Sequence, residues 1–449
     1  MRFAVGNLLV LVVVTSTAGT GDAFVVPPTR AEYGQCGVEQ TTPRSHLHAG
    51  GASRRVRWAR LESSLFAKRG RPKIPDEELE ERKKQLRELL CVTKKDIDNF
   101  VRKYPGILLR SDMVQAYSPR LSFLQETLGI SQKAAGKVCL DAKRLLTLKL
   151  ETLKVKIDWL QAKLNLDKTQ LRRIMKRAPN TLTYSIEDRI EPSLKNMQSV
   201  LEISDKELTK MVARAPDLLT YNFSTEKLAA RMSFLQSLLS IEENDIATLR
   251  KAIMRKPDIL HWSEERMVEV PLWISERLGL SNARIAQMCR NRPDLLLLRT
   301  KTLEEKLDWA QAAMSLSDEE LGKPFGQFPG LFFLNLDPKL RFLRLTLELD
   351  DEQLKELFLR MPNLFAYSEK TVKKKLKFYA KLIGERAAKK LVIKRPYLIG
   401  NFSVENRLEP RLEEVRKSGE KVKWDETTIN RLATRTDAQW EKYGLGGAK

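Results

Sequence analysis

An all-α solenoid is the fold that this 449-residue sequence predicts, and three observations predict it. A proline recurs between helix-like segments at a near-constant spacing, and a helix-capping residue stands at a fixed distance before it. Between the prolines nothing alternates with the period of a strand, and no NG or DG hairpin turn occurs.

The prolines come first because they set the register. RAPDLLTY, at 214–221, has the companions RKYPGILLR, KRAPNTLTY, MRKPDILHW, RNRPDLLLL, GQFPGLFFL, LRMPNLFAY and IKRPYLIGN. They place anchors at Pro105, Pro179, Pro216, Pro257, Pro293, Pro329, Pro362 and Pro396. The first gap is double, and inside it KVCLDAKRLLTL supplies a degenerate copy with Lys143 where the proline would stand. Nine modules result, with anchors 38, 36, 37, 41, 36, 36, 33 and 34 residues apart. A period of this size means units that bury their apolar faces against their neighbours.

Each module then reads as three elements. Twelve residues before the anchors stand Thr93, Ser131, Asp167, Ser204, Asp245, Ser281, Ser317, Asp350 and Gly384. All but the glycine are strong N-cap types, and Ser204 with Glu207, Ser317 with Glu320 and Asp350 with Gln353 have the spacing of capping boxes. Apolar residues eight, five and four before the anchor, such as Leu208, Met211 and Val212, share one helical face. That first helix ends at about ten residues, because proline pushes the residue before it out of the α region. Two apolar residues after the proline, such as Leu218 and Leu219 or Leu364 and Phe365, suit a short helical turn. A second amphipathic helix follows, from Thr225, Thr302 or Thr371 in three modules.

The chain outside the array divides into three parts. Met1–Ala23 has Arg2, the apolar run NLLVLVVV and small residues Gly21 and Ala23, the pattern of a signal peptide. Residues 24–70 carry eight Lys or Arg against three Glu, as a disordered transit peptide does. Signal followed by transit, with Phe24 at the junction, resembles the bipartite presequences of algae whose plastids have extra membranes. A plastid stroma is therefore expected, with a mitochondrion or a secretory route as alternatives. The array runs over 75–416, and a tail over 417–449 contains Trp424 and Trp440, which suit a capping helix.

Within the array the unit L-x-x-[apolar]-[apolar]-x-[basic]-x-P-x-[apolar]-[apolar], clean at Leu208–Leu219 and Leu354–Phe365, resembles the mitochondrial transcription termination factor (mTERF) family. The resemblance covers roughly Pro75–Arg416. It departs where Lys143 replaces proline and where Pro324 falls inside a first helix. It implies a left-handed superhelix of about nine three-helix modules that binds duplex DNA, or in some members RNA, along a basic concave groove. Roles in transcription termination or initiation, intron splicing and ribosome assembly follow for members of the family.

The charge agrees with a polyanionic partner, since 80 Lys and Arg against 58 Asp and Glu leave +22, and clustered cations gain by releasing counterions from phosphates. Two residues before the anchor stand Lys103, Arg177, Arg214, Arg255, Arg360 and Lys394, with Asp141, Asn291 and Gln327 in the other modules. Arg290, Arg292 and Arg395 are close companions. These nine cations are the candidate nucleic-acid contacts. The competing reading lays their stems on the edge of the core with the charge in water. Tyr184, Tyr221, Trp262 and Tyr367, five residues after their prolines, are expected in the core, and the KKKLK run at Lys373 on a solvated face.

Nothing points to catalysis. There is no P-loop, GxGxxG, HExxH or GxSxG, and His261 is the only histidine after residue 70. Cys36, Cys91, Cys139 and Cys289 form no CxxC pair, so no zinc site or disulfide framework is indicated. The expectation is a monomer without catalytic residues, metal or cofactor. It binds nucleic acid, double-stranded DNA before RNA, with organelle transcription or ribosome-assembly proteins as further partners. A protein-binding scaffold is the reading from another class.

Overall fold

A computed structural model describes residues 75–400, 402–419 and 421–446. The signal and transit segments at 1–70 lie outside the described residues. Every described element is a helix or helical turn, and the repeats build an all-α solenoid.

The nine first helices are each ten residues long, from Lys94–Lys103 to Glu385–Lys394. Their constant length follows from two fixed ends. At the N-terminus the side chains of Thr93, Ser131, Asp167, Ser204, Asp245, Ser281, Ser317 and Asp350 each accept a bond from the amide three residues on. The three capping boxes foreseen in the sequence form, and Thr93–Asp96 and Asp167–Gln170 add two more. At the other end the residue before each anchor has φ between −127° and −142° and ψ between 57° and 83°. That conformation lies outside the helical region, as a following proline requires.

Module two reaches the same geometry without proline. Ala142 adopts φ −127° and ψ 77°, and the turn Lys143–Leu146 follows as elsewhere. Burial of Leu145 and Leu146 turns the chain there, and the Lys143 ammonium lies 3.6 Å from the centre of the Tyr104 ring. Proline therefore reinforces a break that packing also imposes. Pro324 likewise leaves its helix intact: Asp318–Gln327 keeps ten residues although one i→i−4 donor is missing.

The short turns bury their two apolar residues, Leu218 and Leu219 in Pro216–Thr220 and Leu364 and Phe365 in Pro362–Ala366. Most of the long helices, such as Leu150–Leu164 and Thr300–Met314, end in a left-handed residue with φ between 44° and 59°, whereas Glu369–Ile383 ends at Gly384 with φ 84° and ψ 155°. Cys91, Asn165, Glu202, Ser240, Ser315 and Glu348 take that conformation although none is glycine. In two modules the long helix opens with a single π turn, Ile186–Ile190 and Val404–Leu408.

The array falls into two compact units, 75–234 with 256–261, and 235–255 with 262–446. In the first, the Gln132–Asp141 helix crosses the end of Asp76–Leu90 so closely that Gly136 has no room for a Cβ. In the second, Phe325, Phe332, Phe358 and Phe365 form a buried chain of rings with centroids 4.8, 6.2 and 5.1 Å apart. At its C-terminus Glu426–Thr434 and Asp437–Tyr443 pack on module nine. There the Trp440 indole donates to Glu414 at 2.6 Å, and buried Arg411 donates to the Leu432 carbonyl and to Asp437.

Candidate nucleic-acid interface

A helix that ends at a proline leaves carbonyl groups without intrahelical donors. Three of the cations two before the anchor, Arg177, Arg255 and Arg360, reach those carbonyls in the next module. Arg255 donates to the Arg290 and Asn291 carbonyls, both at 3.2 Å, and Arg360 to Ile393 and Lys394 at 2.6 and 2.9 Å. Arg177 donates to the Arg214 carbonyl at 3.3 Å, and its other nitrogens hold Asp217 at 2.8 Å and Asp258 at 2.7 Å. Asp258 is 3% exposed and also pairs with Lys256 at 2.6 Å, so one arginine ties modules three, four and five together within the first unit. Cations suit these sites because the C-terminal end of a helix carries partial negative charge.

The other candidates are distributed differently. Arg290 donates to Leu239 and Ser240 carbonyls at the end of a long helix. Arg292 pairs with Asp294 at 2.8 Å and lies over the Phe333 ring, and the Asp294 carboxylate raises its pKa. Lys394 and Arg395 both hold Glu426, at 2.8 and 2.5 Å, and keep its carboxyl below the usual range. Lys103 and Arg214 are exposed, and Lys103 has no ion pair or hydrogen bond among the described residues. The sequence brought the candidates together by register. The structure makes most of them joints between modules, with the charged heads at the surface.

A second set of cations, which the sequence reading missed, fastens the turns. Arg82 donates to the Leu108 carbonyl at 2.6 Å, Arg266 to Leu298 at 2.6 Å, Lys306 to Phe332 at 2.6 Å and Lys339 to Tyr367 at 3.0 Å. Arg120, Lys156 and Arg189 do the same for Leu148, Tyr184 and Thr220. Each lies on a long helix and caps the turn of the following module. A basic residue in the first half of the long helix, some 26 to 32 positions before its acceptor, was the available signal.

Lys375 completes this set and corrects the expectation for KKKLK. Lys373 and Lys374 are exposed, whereas Lys375 is 5% exposed and donates to the Ile399 carbonyl at 2.5 Å. Burial pushes its pKa down to about 8. Between that value and the ordinary 10.5 the unfolded chain holds the proton more tightly, so stability rises with pH across this window. Below about pH 8 the lysine is protonated in both states, and this contribution no longer changes with pH. Denaturation midpoints measured at pH 7.5 and 9.5 should rise less in Lys375→Met than in the natural chain.

The aromatic residues five after the prolines are not core residues. Tyr184, Trp262 and Tyr367 are partly exposed and Tyr221 is 41% exposed, stacked on His261 with centroids 4.6 Å apart. The turn ends at this position, so its side chain points past the two buried residues. Burial lowers the His261 pKa. Among the described residues no three potential metal ligands come together, and no helix is long and apolar enough to cross a membrane.

Ten-residue helices closed by a proline turn, repeated in one register and laced by cations at helix ends, define a helical-repeat protein of one architecture. The mTERF family model matches residues 85–341 and 249–441, and the chain belongs to the mTERF family. Members of this family are organelle-localised, nucleic-acid-binding regulators of gene expression. No curated protein matches the chain.

Proposed function

We propose that this chain binds double-stranded DNA in an organelle and regulates transcription there, by termination or by a related steric block, without catalysing a reaction. The observation that carries the reading is a repeat array with a large excess of cations whose register places basic side chains at the same helical positions in successive modules. Phosphate contacts of this kind fix a duplex along a protein and supply most of the binding energy, while a few base contacts select the sequence. The presequence pattern at 1–70 supports the plastid as the organelle, and a fluorescent fusion to these residues tests it by where the fusion accumulates.

The binding experiment titrates the full chain against duplex DNA and against structured RNA at several salt concentrations. Duplex binding that weakens steeply with salt is expected, with a slope of about 0.9 per phosphate contacted. Tighter binding to RNA would move the role to intron splicing or ribosome assembly. No binding to either at low salt would leave a protein-binding scaffold.

A further inference from the structure

The structure separates two rows of cations that the sequence cannot tell apart. Of the residues two before the anchor, Arg177, Arg255 and Arg360 reach into the next module. Residues six before it lie one turn earlier on nearly the same helical face. They are Lys137, Arg173, Lys210, Lys251, Lys323 and Lys390 in six modules, with Asn99, Gln287 and Glu356 in the others. All six cations are exposed, and none forms a hydrogen bond or ion pair among the described residues. Lys137 stands within electrostatic reach of Asp96 and Asp141 without pairing with either.

We infer that this row carries the phosphate contacts, with Lys137, Arg173 and Lys210 of the first unit forming its continuous part. The inference rests on the nucleic-acid reading above. Neighbouring positions on the same helices already have other work. The residue seven before the anchor reaches the end of an earlier long helix, as Arg172 does to the Leu128 carbonyl at 2.7 Å and Thr209 to Leu164 at 2.8 Å. Arg177 closes the helix after it. Between these fixed neighbours, Arg173 and Lys210 are left facing solvent at the same height on helices that pack side by side. Helices in contact are about 8–10 Å apart, and one strand of a duplex rises about 3.4 Å per nucleotide. Successive modules thus meet one strand about every two to three nucleotides, a spacing that long, flexible lysine and arginine side chains can follow.

The test compares three versions of the full chain for duplex binding across a salt series. Lys137→Gln, Arg173→Gln and Lys210→Gln together remove the row in modules two to four. Lys370→Gln, Lys377→Gln and Lys381→Gln remove an equal charge from exposed positions on the Glu369–Ile383 helix. The first triple variant should lower the salt slope by about 2 to 3, at about 0.9 per phosphate lost, and the second should leave it near that of the natural chain. Exchanging Lys and Arg at the three row positions should restore the slope. Equal slopes in both triple variants, or no change in the first, would overturn the row while leaving nucleic-acid binding in place. A natural chain without any salt slope would sink the function itself. Helical circular dichroism must be unchanged in the first triple variant. A loss of helix would mean these side chains hold the fold, which also overturns the inference.

Discussion

Gly136→Ala is expected to destabilise the first unit by about 3 kcal/mol or more, at the upper end of the cost of overpacking. A Cβ built on Gly136 would sit 1.9 Å from the Leu90 carbonyl oxygen, 2.8 Å from its carbon and 3.1 Å from its Cα. These are backbone atoms at the end of Asp76–Leu90, so no rotamer change relieves the clash and one helix must move. Gly322, also seven before its anchor, provides the internal comparison. Its Cβ would meet the Leu278 oxygen at 2.7 Å, a smaller intrusion, so Gly322→Ala should cost less. Urea denaturation of both variants gives the order. If Gly136→Ala unfolds at the urea concentration of the natural chain, the close helix crossing is wrong.

Phe358→Ala should cost about 3–5 kcal/mol, because it removes a fully buried ring whose space cannot collapse. Phe358 is 0% exposed and touches Phe325 of module seven and Phe365 of its own turn edge to face. The ring thus belongs to two modules at once, and its loss should loosen both. The double variant with Phe325→Ala should be less unstable than the sum of the two single variants, since the cavities merge and the same ring contact is lost only once. Amide exchange should quicken in both Asp318–Gln327 and Asp351–Arg360. Exchange that quickens in module eight alone would show that the rings do not couple the modules.

Much of the architecture was legible because its constraints are local. Thr93, Ser204 or Asp350 as an N-cap, three apolar residues on one face and a proline ending the helix all act within a dozen residues, and nine repetitions made the pattern plain. The ends of the long helices were not legible. Left-handed termini usually announce themselves as glycine, whereas here Cys91, Glu202 and Glu348 adopt positive φ. Their amides bond back to the last turn of their own helices, as Cys91 does to Arg87 and Glu88, a closure that no residue type announces. The π turns at Ile186–Ile190 and Val404–Leu408 left no signal either. The candidate interface was half legible for a different reason. Register identified Arg177, Arg255 and Arg360 as a set, but their acceptors, such as the Ile393 carbonyl, lie about one module further along and are invisible to a helical wheel. Arg173 and Arg177 read alike as residues, and only what surrounds each distinguishes them.

Arg120, Arg255, Lys306 and Lys339 are each fastened to a backbone carbonyl, and none of the four has a carboxylate partner among the described residues. A carbonyl carries no formal charge. Fastening an arginine to it fixes the side chain without cancelling its charge, as a carboxylate partner would. These four joints therefore still contribute to the long-range field of the array, which falls off with distance and salt and does not depend on whether a side chain is free to make a contact. Capture of a polyanion from solution and cohesion of the repeats draw on the same cations without competing for them.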